Sequence, residues 1–210
     1  MKKNCTEVVF VLDRSGSMCG LEKDTIGGFN SLINKQKKQD VEVLVSTVLF
    51  NDSSVVIHDR KPIDEVRLMT NKDYEVYGCT ALLDALGSSI RHIGNIHKYA
   101  RIEDVPEHTM FVIITDGMEN ASRYYSKERV KSMIEYEKEK YGWEFLFLAA
   151  NMDAMDTASQ YGIDKDHAVN YQCDSVGTRL NYEVLDEAIQ CICSGVPLSK
   201  SWKSKIEKRK

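Results

Sequence analysis

Apolar positions along this chain follow two rhythms, and the switches between them mark its elements. Val8-Val9-Phe10-Val11-Leu12 is apolar at every position. Such a run predicts a strand buried on both faces, as in a parallel sheet with helices on each side. Leu21, Ile26, Phe29, Leu32 and Ile33 then recur at roughly helical spacing, and the polar run Lys35-Gln36-Lys37-Lys38 ends that helix. A second strand is predicted over 41–50. The turn Asn51-Asp52-Ser53 leads straight into Val55-Val56-Ile57. So short a polar connection allows only an antiparallel hairpin, and the third strand runs against the second. Residues 59–79 show no clear period, and loops of that length in compact domains are usually functional or mark an element wrongly assigned.

Further on, Leu82, Leu83, Leu86, Ile90 and Ile93 mark a second helix, and 110–114 a central strand. Ser126 is placed to cap a third helix reaching about 140, with Val130, Met133 and Ile134 facing inward. A strand at 145–148, a short helix at 156–161 and a short edge strand at 168–171 follow. Asp174 or Ser175 caps the last long helix, whose inner face is Leu180, Leu185, Ala188, Ile189 and Ile192. This alternation predicts an α/β doubly wound, mostly parallel six-stranded sheet with helices on both faces. Right-handed crossovers then set the strand order at 3-2-1-4-5-6, with strand 3 antiparallel.

That order carries a functional expectation. The chain reverses between the first and fourth strands, and open α/β sheets bind ligands at the carboxyl ends flanking such a reversal. Asp13 ends the first strand and Asp116 the fourth. The 59–79 segment has to climb back to the same edge, so Thr80 arrives beside them. There it opens the second helix, where hydroxyls and free amides collect.

Asp13-Arg14-Ser15-Gly16-Ser17 reads D-x-S-x-S. The pattern alone arises by chance in roughly one chain of this length in twenty. Its weight comes from ending a buried strand, with Thr80 and Asp116 brought to the same edge. Together with Gly78-Cys79-Thr80-Ala81-Leu82-Leu83-Asp84-Ala85 and Ile114-Thr115-Asp116-Gly117, the motif resembles the von Willebrand factor A (vWA) domain family. The resemblance extends over residues 6–193. It matches all five positions of the family's metal-ion-dependent adhesion site, at Asp13, Ser15, Ser17, Thr80 and Asp116. It implies one divalent cation there, with the two aspartates often acting through water, and recognition of a protein partner through an Asp or Glu carboxylate. It also implies a companion role to stress-response systems or AAA-type ATPases, which similar small bacterial proteins often accompany. The all-oxygen chemistry suits Mg²⁺ first, with Mn²⁺ or Ca²⁺ as alternatives, and disfavours zinc or copper. Two anionic and three neutral ligands leave such an ion electrophilic.

Composition narrows the rest. A chain of 210 residues that is 42% hydrophobic has material for one sizeable core. A net charge of -4 argues against a general nucleic-acid binder. The apolar run after Lys2 and Lys3 is far too short for a signal peptide or membrane span, so the cytoplasm is the expected address. The six cysteines, without paired C-x-x-C spacing, are read as free thiols. A redox switch between Cys19 and Cys79, which flank the motif loops, is the minor reading beside plain packing.

The sequence has no G-x-x-x-x-G-K-[ST] loop and no D-x-D beside a strand. Glu119 is the one candidate base, better read as a supporting or solvent group. A non-catalytic binding module is therefore expected, ahead of a Mg²⁺-dependent phosphohydrolase or a purely structural domain. His92 and His97 are expected at the surface near a helix end. Residues 1–193 form the expected domain. The basic tail 194–210 holds Lys200, Lys203, Lys205, Lys208, Arg209 and Lys210 against Glu207. A solvated or partly disordered tail is expected, with docking to a protein, nucleic acid or anionic lipid as the alternative.

Overall fold

In the computed structural model, which describes residues 1–209, the continuous apolar runs become the centre of one sheet. Its strands are β1 (Lys2–Asp13), β2 (Glu42–Phe50), β3 (Ser54–Pro62), β4 (Pro106–Thr115), β5 (Glu144–Ala149) and β6 (Ala168–Asn170). They lie in the order β3-β2-β1-β4-β5-β6. All neighbouring pairs are parallel except β2 with β3. Six helices surround the sheet: α1 (Glu22–Gln36), α2 (Leu82–Tyr99), α3 (Lys127–Tyr141), α4 (Ala154–Gln160), α5 (Ser175–Cys193) and the short α6 (Ser204–Glu207).

The period of two along each central strand divides the core into halves. Val8, Phe10 and Leu12 face one cluster with Met110, Val112 and Ile114, under α1 and α5. Val9 and Val11 face the other with Phe111 and Ile113, under α2, α3 and α4. Side chains on both faces are therefore buried, which is why no polar alternation shows in the sequence.

Four features differ from the expectations, the last of them in the tail. First, β3 runs well past Ile57, through the polar stretch His58-Asp59-Arg60-Lys61. It is an edge strand, so polar residues there meet solvent or bond sideways: His58 Nδ1 lies 3.0 Å from Thr47 Oγ1. The ladder with β2 is irregular near Thr47, and Arg60 adopts φ +46°. Second, Thr80 does not open α2; the first helical residue is Leu82 and Ala81 caps it. Third, His97 is not a surface residue. Its side chain is 10% exposed and Nε2 sits 2.7 Å from Glu7 Oε2. Glu7 is fully buried and also accepts from Arg60 Nε at 2.7 Å. A buried carboxylate needs such partners, and α2 extends six residues beyond Ile93 to supply one. His92, by contrast, is about half exposed.

The tail folds back onto the domain. Trp202 and Ile206 are buried in the cluster under α1 and α5. Trp202 Nε1 donates to Asp166 O at 2.9 Å, and Lys203 Nζ donates to Lys165 O and Ala168 O. Much of its positive charge meets the domain's own acids: Lys200 pairs with Asp166, Lys205 with Glu187 and Arg209 with Asp174. The sequence alone points to a solvated or partly disordered tail because the partners of its charges lie far away in the chain. Lys210 lies outside the described residues.

Truncating Trp202 to alanine should cost about 3 kcal/mol in urea unfolding, where a solvated tail would lose under about 0.5 kcal/mol. Two Arg209 hydrogen bonds and the Gly177 N–H draw the Asp174 carboxyl down to about 2. Because this lies below the unfolded value of about 3.9, the stabilisation is complete above about pH 4 and lost as pH falls through about 2. Arg209→Met should therefore be less stable than the parent near neutrality, and the gap should close towards pH 2 in acid titrations followed by circular dichroism.

Candidate metal centre

Register delivers the two aspartates. Leu12 pairs with Ile114 across β1 and β4, which leaves Asp13 at one strand end and Asp116 just past the other. Beyond Asp13 the chain turns sharply. The Ser15 N–H donates to Asp13 Oδ1 at 2.7 Å, a side chain capturing the backbone two residues on. The turn puts Ser15 Oγ and Ser17 Oγ 3.0 Å apart. Ser17 Oγ then donates to Asp116 Oδ1 at 2.5 Å. Four of the five sequence-predicted residues thus form one hydrogen-bonded string across two strand ends.

Thr80 joins them through backbone clamps. Gly16 N donates to Gly78 O and Tyr77 N to Arg14 O, which binds the 77–80 segment to the turn after β1. Gly78 has φ +78°, and a Cβ there would fall 2.0 Å from Asp52 Oδ2, so only glycine fits. Thr80 and Asn120 hold each other twice: Thr80 N donates to Asn120 Oδ1 at 2.9 Å and Asn120 N to Thr80 O at 3.0 Å. As a result Ser17 Oγ and Thr80 Oγ1 each lie 3.2 Å from the point a Cβ on Gly117 would occupy. Hydroxyls from two loops converge beside Asp116, over a residue with no side chain.

The electrostatics of this cluster are unbalanced. Asp13 and Asp116 are 2% and 1% exposed. Burial raises the pKa of both carboxyls. For Asp13, hydrogen bonds from Thr115 and Ser15 oppose the shift while the charge of Asp116 adds to it; for Asp116, bonds from Ser17 and Cys173 oppose it. No cationic side chain is among the main causes of either shift. The neighbouring Arg14 is buried, its guanidinium 5.5 Å from the Tyr77 ring centroid and its Nε without a hydrogen-bond partner. Among the described residues Thr80 Oγ1 has no hydrogen-bond partner, and no three His, Cys, Asp or Glu side chains cluster as metal ligands. Here the acids number two and the other oxygens are hydroxyls. Two buried carboxylates with no counter-charge, facing an unengaged hydroxyl, fit a hard divalent cation.

Several further residues support the site; the sequence marks Glu119 as a supporting group, whereas Tyr74 and Cys173 carry no legible signal there. Thr115 Oγ1 donates to Asp13 Oδ2 at 2.6 Å. Tyr74, fully enclosed in the segment that lacked periodicity, donates its hydroxyl to Asp13 O. Cys173 Sγ sits 3.5 Å from Asp116 Oδ2, and burial pushes its pKa up to about 11. Glu119 accepts from Leu83 N, Ala121 N, Ser122 N and Ser122 Oγ at 2.7–2.9 Å. Asp84 accepts in return from the N–H groups of Arg123, Tyr124 and Tyr125. These two carboxylates lash the loop after β4 to the start of α2, satisfying amides that a helix terminus leaves open. All six cysteines are free thiols, with Cys19 and Cys79 both exposed.

No protein-family model matches the sequence, and no curated protein does. Solved structures do match in shape. The vWF domain of the type V pili tip protein Mfa5 from Porphyromonas gingivalis superposes with a TM-score of 0.68 at 10% identity, covering 95% of this chain and 98% of that one. The von Willebrand factor type A structure from Catenulispora acidiphila gives 0.56 at 12% identity, covering 88% and 42%. Proximal thread matrix protein 1 from the mussel byssus, in a structure with a zinc-occupied MIDAS motif, gives 0.59 at 15%, covering 89% and 46%. The chain thus spans just under half the length of these last two proteins. At such identities the likeness speaks for architecture alone, and that architecture is the fold of von Willebrand factor A domains.

Proposed function

We propose that this chain is a non-catalytic binding module in which Asp13, Ser15, Ser17, Thr80 and Asp116 hold one hard divalent cation, Mg²⁺ foremost, and a protein partner is recognised through an Asp or Glu carboxylate. The convergence of the Ser17 and Thr80 hydroxyls over Gly117, beside two buried acids without counter-charge, carries this reading. When bound, the cation supplies an electrophilic coordination position for an external oxygen. The residues of the chain do the rest. Asp13 and Asp116 balance the charge, and the three hydroxyls add neutral donors.

The surroundings suit recognition. Met118, next to Gly117, is 70% exposed and Tyr77 is 52% exposed. These large side chains flank the polar centre and offer the aromatic and thioether contacts that interface hot spots favour. The alternative, a Mg²⁺-dependent phosphohydrolase, would need a general base near the centre. Glu119, the only candidate, already accepts four hydrogen bonds, so its lone pairs are committed. The zinc-occupied site of the mussel protein lends support to a divalent ion in this fold. Six free thiols suit a reducing compartment, so we place the module in the cytoplasm. The companion role to an AAA-type ATPase or stress-response system is part of the same proposal, resting on the family resemblance.

Chelator-treated protein should gain about 5 °C in Tm at Mg²⁺ concentrations near a hundred times Kd, and Thr80→Ala should lose that gain while keeping the fold. An unchanged melting curve at millimolar Mg²⁺ would overturn the metal reading. Gly117→Ala places a methyl 3.2 Å from both hydroxyls and should weaken Mg²⁺ binding about tenfold, or 1.4 kcal/mol, in calorimetric titration. Capture of a partner should need Mg²⁺ and disappear in Thr80→Ala. Steady turnover of a generic phosphoester that is lost in Asp13→Ala would favour the enzyme instead.

A further inference from the structure

A second site lies at the opposite pole, by the amino ends of the strands. β4 is ten residues long, which puts roughly 30 Å between its two ends. There, where the ends of α2 and α3 meet the start of β4, is a cavity of about 320 Å³, within the range of small-molecule sites. Its walls are mainly apolar, with Ile102, Val105, Pro106, Tyr141 and Trp143. Ile102 is 75% and Tyr141 51% exposed, so apolar surface continues out to the mouth.

One carboxylate in this lining stands without a hydrogen-bond donor. Glu137, on α3, is 9% exposed. Its Oε2 is sealed from water with nothing bonded to it, and among the described residues no group donates to either carboxylate oxygen. Other enclosed acids do have donors: Glu7 has Arg60 and His97, Asp13 has Thr115 and the Ser15 N–H, Asp116 has Ser17, and Glu119 has four. Three nearby cationic side chains are engaged elsewhere, while Met1, with its terminal ammonium, also lines the cavity. His97 Nε2 is engaged by Glu7, Lys98 lies over the Tyr99 ring, and Lys140 lies over Tyr136 and Tyr141. Burial raises the pKa of the Glu137 carboxyl, against the opposing fields of His97 and Lys140. A buried acid that fails to find a donor within its own fold marks a place where a donor comes from outside.

We propose that this cavity binds a small organic ammonium, its N–H groups meeting the Glu137 carboxylate and its apolar body lying against Trp143 and the wall of Ile102, Val105 and Pro106. A carboxylate only accepts hydrogen bonds, so the ligand must donate. A protonated amine donates with charge assistance and neutralises the acid as it enters. The apolar walls call for a hydrocarbon or aromatic body rather than a hydrated polyamine. This site shares no residue with the metal centre and stands or falls apart from it.

The test is an NMR titration of the full chain with phenethylamine, with 2-phenylethanol and phenylacetate as neutral and anionic probes of nearly the same shape. The protein has two tryptophans, Trp143 and Trp202, and Trp143→Phe assigns their indole N–H signals. Phenethylamine should shift the Trp143 signal saturably and leave Trp202 in place. It should bind at least about tenfold more tightly than the alcohol, with phenylacetate weakest. Glu137→Gln, which keeps the shape and removes the charge, should erase the preference for the amine. Equal binding of amine and alcohol to the parent protein, no response of Trp143, or full amine affinity in Glu137→Gln would each overturn the proposal. If Glu137→Gln fails to fold, the amine-to-alcohol ratio of the parent protein decides alone.

Discussion

The register between β1 and β4 governs the carboxyl edge of this molecule. With Leu12 opposite Ile114, both strand ends present an acid at the same place, and Thr115 Oγ1 reaches Asp13. A slip of one residue would send Asp13 to the other face of the sheet and separate it from that hydroxyl. The apolar faces prevent the slip. Val8, Phe10 and Leu12 fit one half of the core, and Val9 and Val11 the other. Burial of ordinary hydrocarbon thus fixes where two like charges sit close together out of water. Their repulsion is a standing cost, and it makes a counter-charge the natural completion of the site.

Positioning the neutral oxygens is a separate task, performed by backbone amides and a few polar side chains. Asn120 grips Thr80, Gly78 admits the close pass by Asp52, and Glu119 and Asp84 exchange hydrogen bonds between the loop after β4 and the start of α2. These contacts join segments some forty residues apart into one rigid rim. Preorganisation of this kind keeps hydroxyls converging without a ligand to gather them.

The strand order was legible because central strands are apolar throughout and crossovers have one hand. The same reasoning placed Asp13 beside Asp116, and the spacing of Ser15 and Ser17 in a tight turn placed them as well. It failed where residues act through partners distant in sequence. His97 reads as a charge at a helix end until Glu7, ninety positions earlier, is seen beside it. The tail reads as a loose basic segment until Asp166, Asp174 and Glu187 take up its charges. Glu137 gave no sign, since an acid on an amphipathic helix is ordinarily a solvated one. β3 was cut short because an edge strand needs no apolar alternation on both faces.

The docked tail also bears on self-assembly. β6 has only three residues and borders the sheet on one side, where unpaired backbone groups invite a strand from another molecule. Lys203 Nζ occupies the carbonyls of Lys165 and Ala168, and Trp202 lies over the adjacent turn. The final segment therefore works as a guard rail for that border. A copy shortened at Cys193 would bare a template for stacking, and its fault would show first as aggregation, with the carboxyl-edge rim still intact.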